Sequence, residues 1–405
     1  MKSLHIRLHG HDVGVLRKDT RITFELFQSY LDLAPRPVLG QAFEDNLRVR
    51  RAGGGGKLPA FFSNLLPEGS LRERLARSLD VDPDDEFALL TALGEDLPGA
   101  VTATLIDDVF PGLATGDAVE HEEPAPSSPR EEGAMRFSLA GVQLKLSMLR
   151  EGERLTLPAS GRGGKWIVKL PSLTYLALPE NEHATMTWAA QSGIRVAEHE
   201  LVPLDRLHGV PRQLLEGLTG RAFVTRRYDR LESDRRVHQE DFAQVLDVYP
   251  EQKYKATNHE TIANIVLQLS GREGFREFLR RLVFVVLSGN GDAHLKNWSL
   301  WYPDDLHAEL SPAYDQVATV QYIPHEKLAL NLAKSKSFED VSLASFQRLA
   351  RRLGLDEPEV TAAVQNDVAA TLAAWRALRD HLSVPEAYRS SVDEHLARLP
   401  LARGP

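Results

Sequence analysis

No cysteine occurs among the 405 residues. That absence removes disulfides, thiolate metal sites and thiol nucleophiles together, and it suits a reducing compartment. Long apolar runs are missing too. The longest, Leu282-Val283-Phe284-Val285-Val286-Leu287, is far short of the roughly 20 residues that cross a bilayer. The opening MKSLHIRLHGHDVG has no apolar core of the secretion-signal type, so the expected location is cytoplasmic. Positive charge is in deficit, with 48 Lys and Arg against 57 Asp and Glu and a formal net charge of −9. Coating of nucleic acid by bulk electrostatics is therefore disfavoured, because phosphate binding needs a local cation excess. The cluster Arg226, Arg227, Arg230, Arg235 and Arg236 reads as a solvated face.

What is present is ordinary for a globular protein, 42% apolar and 26% charged, and the length predicts two or three domains or lobes. The chain starts with hairpin-like alternation: Leu4, Ile6 and Leu8, then Val13 and Val15, then Ile22 and Phe24. A helix is expected after Pro67 and Glu68, with Leu71, Leu75 and Leu79 on one face. Residues 111–134, rich in Pro, Glu, Ser and Ala, read as a linker. They would separate an N-terminal subdomain (1–110) from a strand-rich lobe (135–228) and an all-helical C-terminal lobe (229–405). Within these, 166–171 and 222–228 read as strands. Residues 180–194 fit a helix stopped by Gly193, and 259–270, 274–287, 343–353, 358–382 and 385–398 read as helices. Strands followed by helices predict an α+β fold with segregated lobes.

Two glycine stretches invite a phosphate-loop reading. AGGGGKLP at 52–59 fails the Walker pattern, because Leu58 stands where Ser or Thr is required, and it reads as a flexible loop. LAGVQLK at 139–145 lies between two strands, where Gly141 would admit a phosphate close to the backbone and Lys145 would add charge. By itself such a glycine is equally an ordinary turn or bulge. Lys169, inside the apolar strand WIVKL, is either an edge lysine reaching water or a grip on phosphate oxygens. Glu182 follows 13 residues later, a spacing that suits a strand-lysine to helix-glutamate ion pair.

The densest chemistry lies in LSGNGDAHLKNWSL, residues 287–300. Asp292 and Asn297 stand in the D-x-x-x-x-N relation of kinase catalytic loops. In that arrangement Asp292 orients or accepts the proton of an incoming hydroxyl, and the Asn297 amide oxygen ligates magnesium. Lys296 would neutralise charge on the transferred group. Asp315, in LSPAYDQ 23 residues beyond Asp292, would supply a second oxygen ligand to the same ion. Asp292 with His294 could instead be a transition-metal pair, but no HxxxH or HExxH lies near it in the sequence. A hydrolase would want a GxSxG elbow, and none occurs.

FSLAGVQLK, WIVKLP, NEH, RRYDR, QEDF, GNGDAHLKN and LSPAYD, together with LPAFFSNLLPEG at 58–69, make the chain resemble the HipA family of toxin–antitoxin serine/threonine kinases over nearly its whole length. The resemblance implies a two-lobed protein-kinase-like fold, ATP and Mg2+ as cofactors, and phosphoryl transfer to a protein serine. By position, Asp292 resembles the catalytic base, with His294 and Lys296 in the same motif and Asn297 and Asp315 as magnesium ligands. Lys169 resembles the ATP lysine, paired with Glu182. Gly141, Gln143 and Lys145 resemble the phosphate-covering loop. Arg226 to Tyr228 fall at the hinge that would hold adenine through backbone groups, with Arg226 where the better-known pattern is acidic. Gln239 and Asp241 match residues near the catalytic centre. Ser138 matches a serine whose autophosphorylation would inactivate the kinase, since a phosphate adds roughly −1.5 to −2 charge.

The resemblance further implies a HipB-like DNA-binding antitoxin as partner, DNA contact only through it, and an aminoacyl-tRNA synthetase such as glutamyl-tRNA synthetase as target. Two other readings remain open from the residues. One is a small-molecule kinase of the aminoglycoside- or lipid-kinase type. The other is a catalytically silent co-repressor or scaffold, which the intact set Lys169, Asp292, Asn297 and Asp315 argues against.

Overall fold

The computed structural model describes residues 2–44, 47, 50–106, 120–122, 144–158 and 163–403. The chain divides into two compact units. The first joins 1–142 with 229–253 and 299–308, and the second joins 143–228, 254–298 and 309–405.

The first unit is built on a six-stranded sheet in the order Val101–Ile106, Lys2–Leu8, His11–Lys18, Ile22–Leu26, Arg50–Ala52, Glu120–Glu122. The opening alternation does what period-2 patterning requires: Leu4, Ile6 and Leu8 are fully buried on one side of their strand. Phe24, Phe43, Phe61 and Phe62 fill the core beneath, in edge-to-face pairs such as Phe24–Phe62 at 4.7 Å between centroids. The helix expected after Pro67 runs Gly69–Ser78.

Several expectations need correction here. Residues 229–253 and 299–308 belong to it and not to the helical half, because long-range bonds tie them there. Strand His238–Asp241 pairs antiparallel with Ser299–Tyr302, Arg230 reaches Asp96 and the Leu97 and Gly99 carbonyls, and the Tyr249 hydroxyl accepts from Gly54 N at 2.8 Å. That last bond also changes the reading of 52–59: Gly53 and Gly54 are buried and packed, so the stretch is a fixed turn. Nor is the arginine cluster simply a solvated face, since Arg230 is only 6% exposed and Arg227 9%. Of the expected linker, Glu120–Glu122 forms a strand parallel to Arg50–Ala52, and the rest of 111–134 lies outside the described residues.

The second unit has its own six-stranded sheet: His199–Pro203, Arg221–Arg226, Trp166–Lys169, Lys145–Glu151, Arg154–Thr156, Leu207–His208. Helix Leu178–Gln191 follows the Trp166–Lys169 strand and ends before Gly193 at φ 83°. The two helices expected over 259–287 form one assembly, His259–Ser288, broken at Gly271 (φ 65°, ψ −164°). Residues 282–287 are all buried, as a helix apolar on every side must be. Phe284 packs on Trp188 (5.1 Å), which packs on Trp375 (4.7 Å) of helix Glu357–Leu378. Losing the Phe284 ring would cost about 3–5 kcal/mol. The C-terminal part is not all helix. Strands Lys327–Leu332 and Ser335–Ser337 form a hairpin within it, too short to stand out by alternation. Among the described residues no helix is long and apolar enough to cross a membrane.

Candidate phosphoryl-transfer site

Lys145 and Lys169 lie directly opposite each other on adjacent antiparallel strands. Cross-strand partners share a face, so two cations separated by 24 positions in sequence emerge side by side. Lys169 is 3% exposed and Glu182, on the next helix, 1%. The Lys169 ammonium donates to Glu182 and to Asp315, and Lys145 Nζ donates to Asp315 Oδ2 at 2.9 Å. The ion pair expected from a 13-residue spacing is thus present, and Asp315 joins it.

The charges within this cluster are unequal. Burial alone would push the Asp315 carboxyl up, but Lys145 and Lys169 outweigh it and hold it well below the usual carboxylate range. Burial pulls the Lys169 ammonium down, and Asp315 and Glu182 reverse this and raise it. Glu182 is pushed up, first by burial and then by Asp315, with Lys169 in opposition. Lys169 is therefore a firm cation and Asp315 a firm anion, and Glu182 is the acid that most readily takes a proton.

The loop of 289–297 begins where the buried helix stops. Gly289 (φ 66°) caps it in the left-handed region, and a methyl group there would come within 2.5 Å of Val320. At Gly291 one would meet the Glu326 side chain at 2.4 Å. The loop is stitched to the Asp315 segment at several points. Gly291 N donates to Thr319 Oγ1 at 2.7 Å, Asn290 Nδ2 to Gln316 Oε1 at 3.3 Å, and the Tyr314 hydroxyl to the Lys296 carbonyl at 2.9 Å. These bonds place Asp315 beside the loop of Asp292, Lys296 and Asn297. Asp315 itself holds φ 51°, a conformation that Asp tolerates better than most residues.

Inside the loop, Asp292 N is held by Asn290 Oδ1 at 3.1 Å, His294 N donates to the Asp292 carbonyl at 2.7 Å, and Asn297 N to the His294 carbonyl at 2.9 Å. His294 is buried, with its ring edge-on to Tyr254 at 4.9 Å. The Tyr254 hydroxyl donates to Asp292 Oδ1. Sequence reading missed Tyr254 entirely. A lone tyrosine in EQKYKAT carries no spacing signal, and its contact spans 38 positions.

Other expected residues fare differently. Gly141, Gln143 and Ser138 lie outside the described residues. At the hinge, Arg226 N donates to the Glu198 carbonyl and Arg227 N to the Lys165 carbonyl, both at 2.8 Å, so neither donor is available to a base. Tyr228 packs against Tyr314 with centroids 5.7 Å apart. Gln239 and Asp241 sit in the first unit, where Asp241 caps helix Phe242–Val245 by accepting from Ala243 N and Gln244 N. Between them, Glu240 went unremarked in the sequence. It is fully buried, accepting from Gln41 N at 2.9 Å and from the Tyr302 hydroxyl at 2.5 Å. Burial pushes its carboxyl up to about 8, against the opposing bonds from Tyr302 and Gln41.

For a hard cation, a carboxylate held anionic (Asp315) and an amide oxygen (Asn297) are suitable donors. Among the described residues no group of three or more His, Cys, Asp or Glu is gathered for a metal.

A strand lysine ion-paired to a helix glutamate, beside a D-x-x-x-x-N loop and a following aspartate, defines the class: an α+β fold of protein-kinase-like type. Comparison with known proteins agrees and narrows it. Residues 4–104 match the HipA N-terminal domain and residues 137–375 the HipA-like C-terminal domain. The chain belongs to the HipA family. It is 40% identical over 409 residues to the Sinorhizobium fredii protein named "Putative kinase Y4dM", covering 99% of this chain and 98% of that one. It is 27% identical to the Shewanella oneidensis "Serine/threonine-protein kinase toxin HipA", covering 76% and 73%. The solved S. oneidensis complex of HipA, HipB and operator DNA contains a chain of like fold, with a TM-score of 0.72 and 21% identity over 98% of this chain and 96% of that one.

Proposed function

We propose that the protein is an ATP- and magnesium-dependent serine/threonine-protein kinase acting as the toxin of a toxin–antitoxin pair. The observation that carries this reading is Lys169 buried between Glu182 and Asp315, which brings cation and anion together as a polyphosphate with its metal ion requires. Lys145 and Lys169 would hold phosphate oxygens, Asn297 and Asp315 would hold magnesium, and Gly141 and Gln143 would cover the phosphates. Magnesium, when bound, would supply neutralisation of charge on those oxygens. Asp292 would take the proton of the incoming hydroxyl at a carboxylate oxygen, and Lys296 would offset charge at the transferred group. Adenine would lie near Arg226 and Tyr228, by contacts other than the Arg226 and Arg227 N–H groups.

The relatives support the biological setting: one is named a kinase toxin, and the solved chain of like fold is held with HipB and operator DNA. The partner would accordingly be a HipB-like antitoxin, and the acceptor a translation component such as glutamyl-tRNA synthetase or another aminoacyl-tRNA synthetase. Autophosphorylation at Ser138 would be the off-switch. The test compares wild type with Asp292→Gln for growth arrest and for transfer of labelled phosphate in a host lysate. Arrest and a labelled protein only with wild type are expected. Equal arrest by both would overturn the catalytic reading, and a labelled metabolite without labelled protein would move it to small-molecule kinases. Mass spectrometry after incubation with ATP and magnesium should find phosphate on Ser138.

A further inference from the structure

We infer that Tyr254 is a positioning residue for phosphoryl transfer: its hydroxyl fixes the carboxyl plane of Asp292, and its ring fixes His294. This rests on the kinase reading above and assigns a part to a residue which that reading leaves unused.

A base in the D-x-x-x-x-N loop must present one carboxylate oxygen to the acceptor hydroxyl. An aspartate side chain turns about two bonds, so something has to set that direction. Backbone bonds hold the main chain of Asp292 through Asn290 Oδ1 and His294 N. Tyr254 contributes to setting the carboxyl direction by donating its O–H to Asp292 Oδ1.

Tyr254 is itself held. Lys336 Nζ donates to the Tyr254 carbonyl at 3.0 Å and to the Ala329 carbonyl at 2.6 Å, clamping it to the Lys327–Leu332 hairpin strand. Its ring meets His294 edge-on at 82°. The motif histidine thereby acquires a task that needs no proton chemistry: it is a buried wall that keeps the tyrosine aimed. Among the described residues, Lys296 in the same loop, Tyr175 and Glu326 are further titratable groups in this region. The Tyr175 phenol is raised by burial and then by the charges of Asp292 and Glu326.

The test measures ADP formation and phosphate transfer to dephosphorylated casein by the full chain, for wild type, Tyr254→Phe and Lys336→Met. Phe keeps the ring against His294 and removes only the donor, so thermal unfolding should change little. For Tyr254→Phe we expect kcat to fall about 10- to 100-fold with KM for ATP within about twofold. The acid limb of the kcat profile should also move to higher pH, because a carboxylate that loses a donor holds its proton more tightly. Lys336→Met should show the same pattern, weaker. An active wild type with Tyr254→Phe unchanged in kcat and pH profile would overturn the positioning role and leave the kinase reading standing. A wild type that forms neither ADP nor labelled protein would overturn both.

Discussion

Two acids, one in each unit, have opposite fates. Asp315 is driven down as a carboxyl, with Lys169 and Lys145 both on it. Glu240 is driven up to about 8, with only a tyrosine hydroxyl and a backbone N–H as donors. Burial acts in the same direction on both, and the difference is whether full cations accompany it. Neutral donors soften the desolvation of a carboxylate, but they do not reverse it as an ammonium does. The first arrangement stores a charge for use. The second makes a joint that is most stable when protonated, holding Leu39–Gln41 to the His238–Asp241 and Ser299–Tyr302 ribbon.

The strongest way to break that contrast is to remove the shared cation. Lys169→Met would leave Glu182 buried without its partner, costing about 3–5 kcal/mol. It should also lower phosphoryl transfer by about a thousandfold or more. Chemical denaturation and ADP formation read the two effects separately, and an unchanged rate would remove Lys169 from the site.

The next test exploits pH. Glu240 has a folded value of about 8, above its ordinary 4.5. Its stabilising contribution is therefore complete below about 4.5 and is lost as pH rises through about 8. In Glu240→Gln this dependence should disappear. The variant should be slightly less stable than wild type near pH 5 and more stable above pH 8, by an overall swing of about a few kcal/mol. Parallel melting temperatures from pH 5 to 8.5 would show that Glu240 does not titrate in this range.

Tyr302→Phe removes one donor from Glu240 and should cost about 1 kcal/mol. It should also push the Glu240 transition further up in pH, which the same melting series would record. The smallest stability effect belongs to Lys145→Met. This lysine is 29% exposed, so its pairing with Asp315 should contribute less than about 1 kcal/mol. Its loss would be read instead as ATP affinity lower by about tenfold in a binding titration, and unaltered affinity would confine Lys145 to a structural part.

Much of this was legible in the residues. Alternation placed the Leu4–Leu8 strand, and the helical pattern expected over 343–353 and 385–398 meets helices Leu343–Leu353 and Glu386–Arg398. The Lys169–Glu182 pair followed from spacing, because a strand and the helix after it leave few ways to meet. The membership of 229–253 and 299–308 was not legible. Their ties to the first unit are single bonds over long separations, such as Glu240 to Gln41 across 199 positions. Short strands of four residues, His238–Asp241 and Ser299–Tyr302, give too few alternations to separate from loop.

By itself the sequence determined which side chains carry charge, where helices start and stop, and that an acid, an amide and a second acid come in kinase order. Those are local facts, written in periods of two and 3.6 residues and in short spacings. Only the tertiary structure decided that Lys145 joins Lys169 on Asp315, that Glu240 rather than its neighbours in QED is the buried member, and that Tyr254 reaches Asp292. Each of these depends on which distant segments share a low-dielectric space. Burial and charge pairing are properties of that shared space, and no stretch of chain read alone contains them.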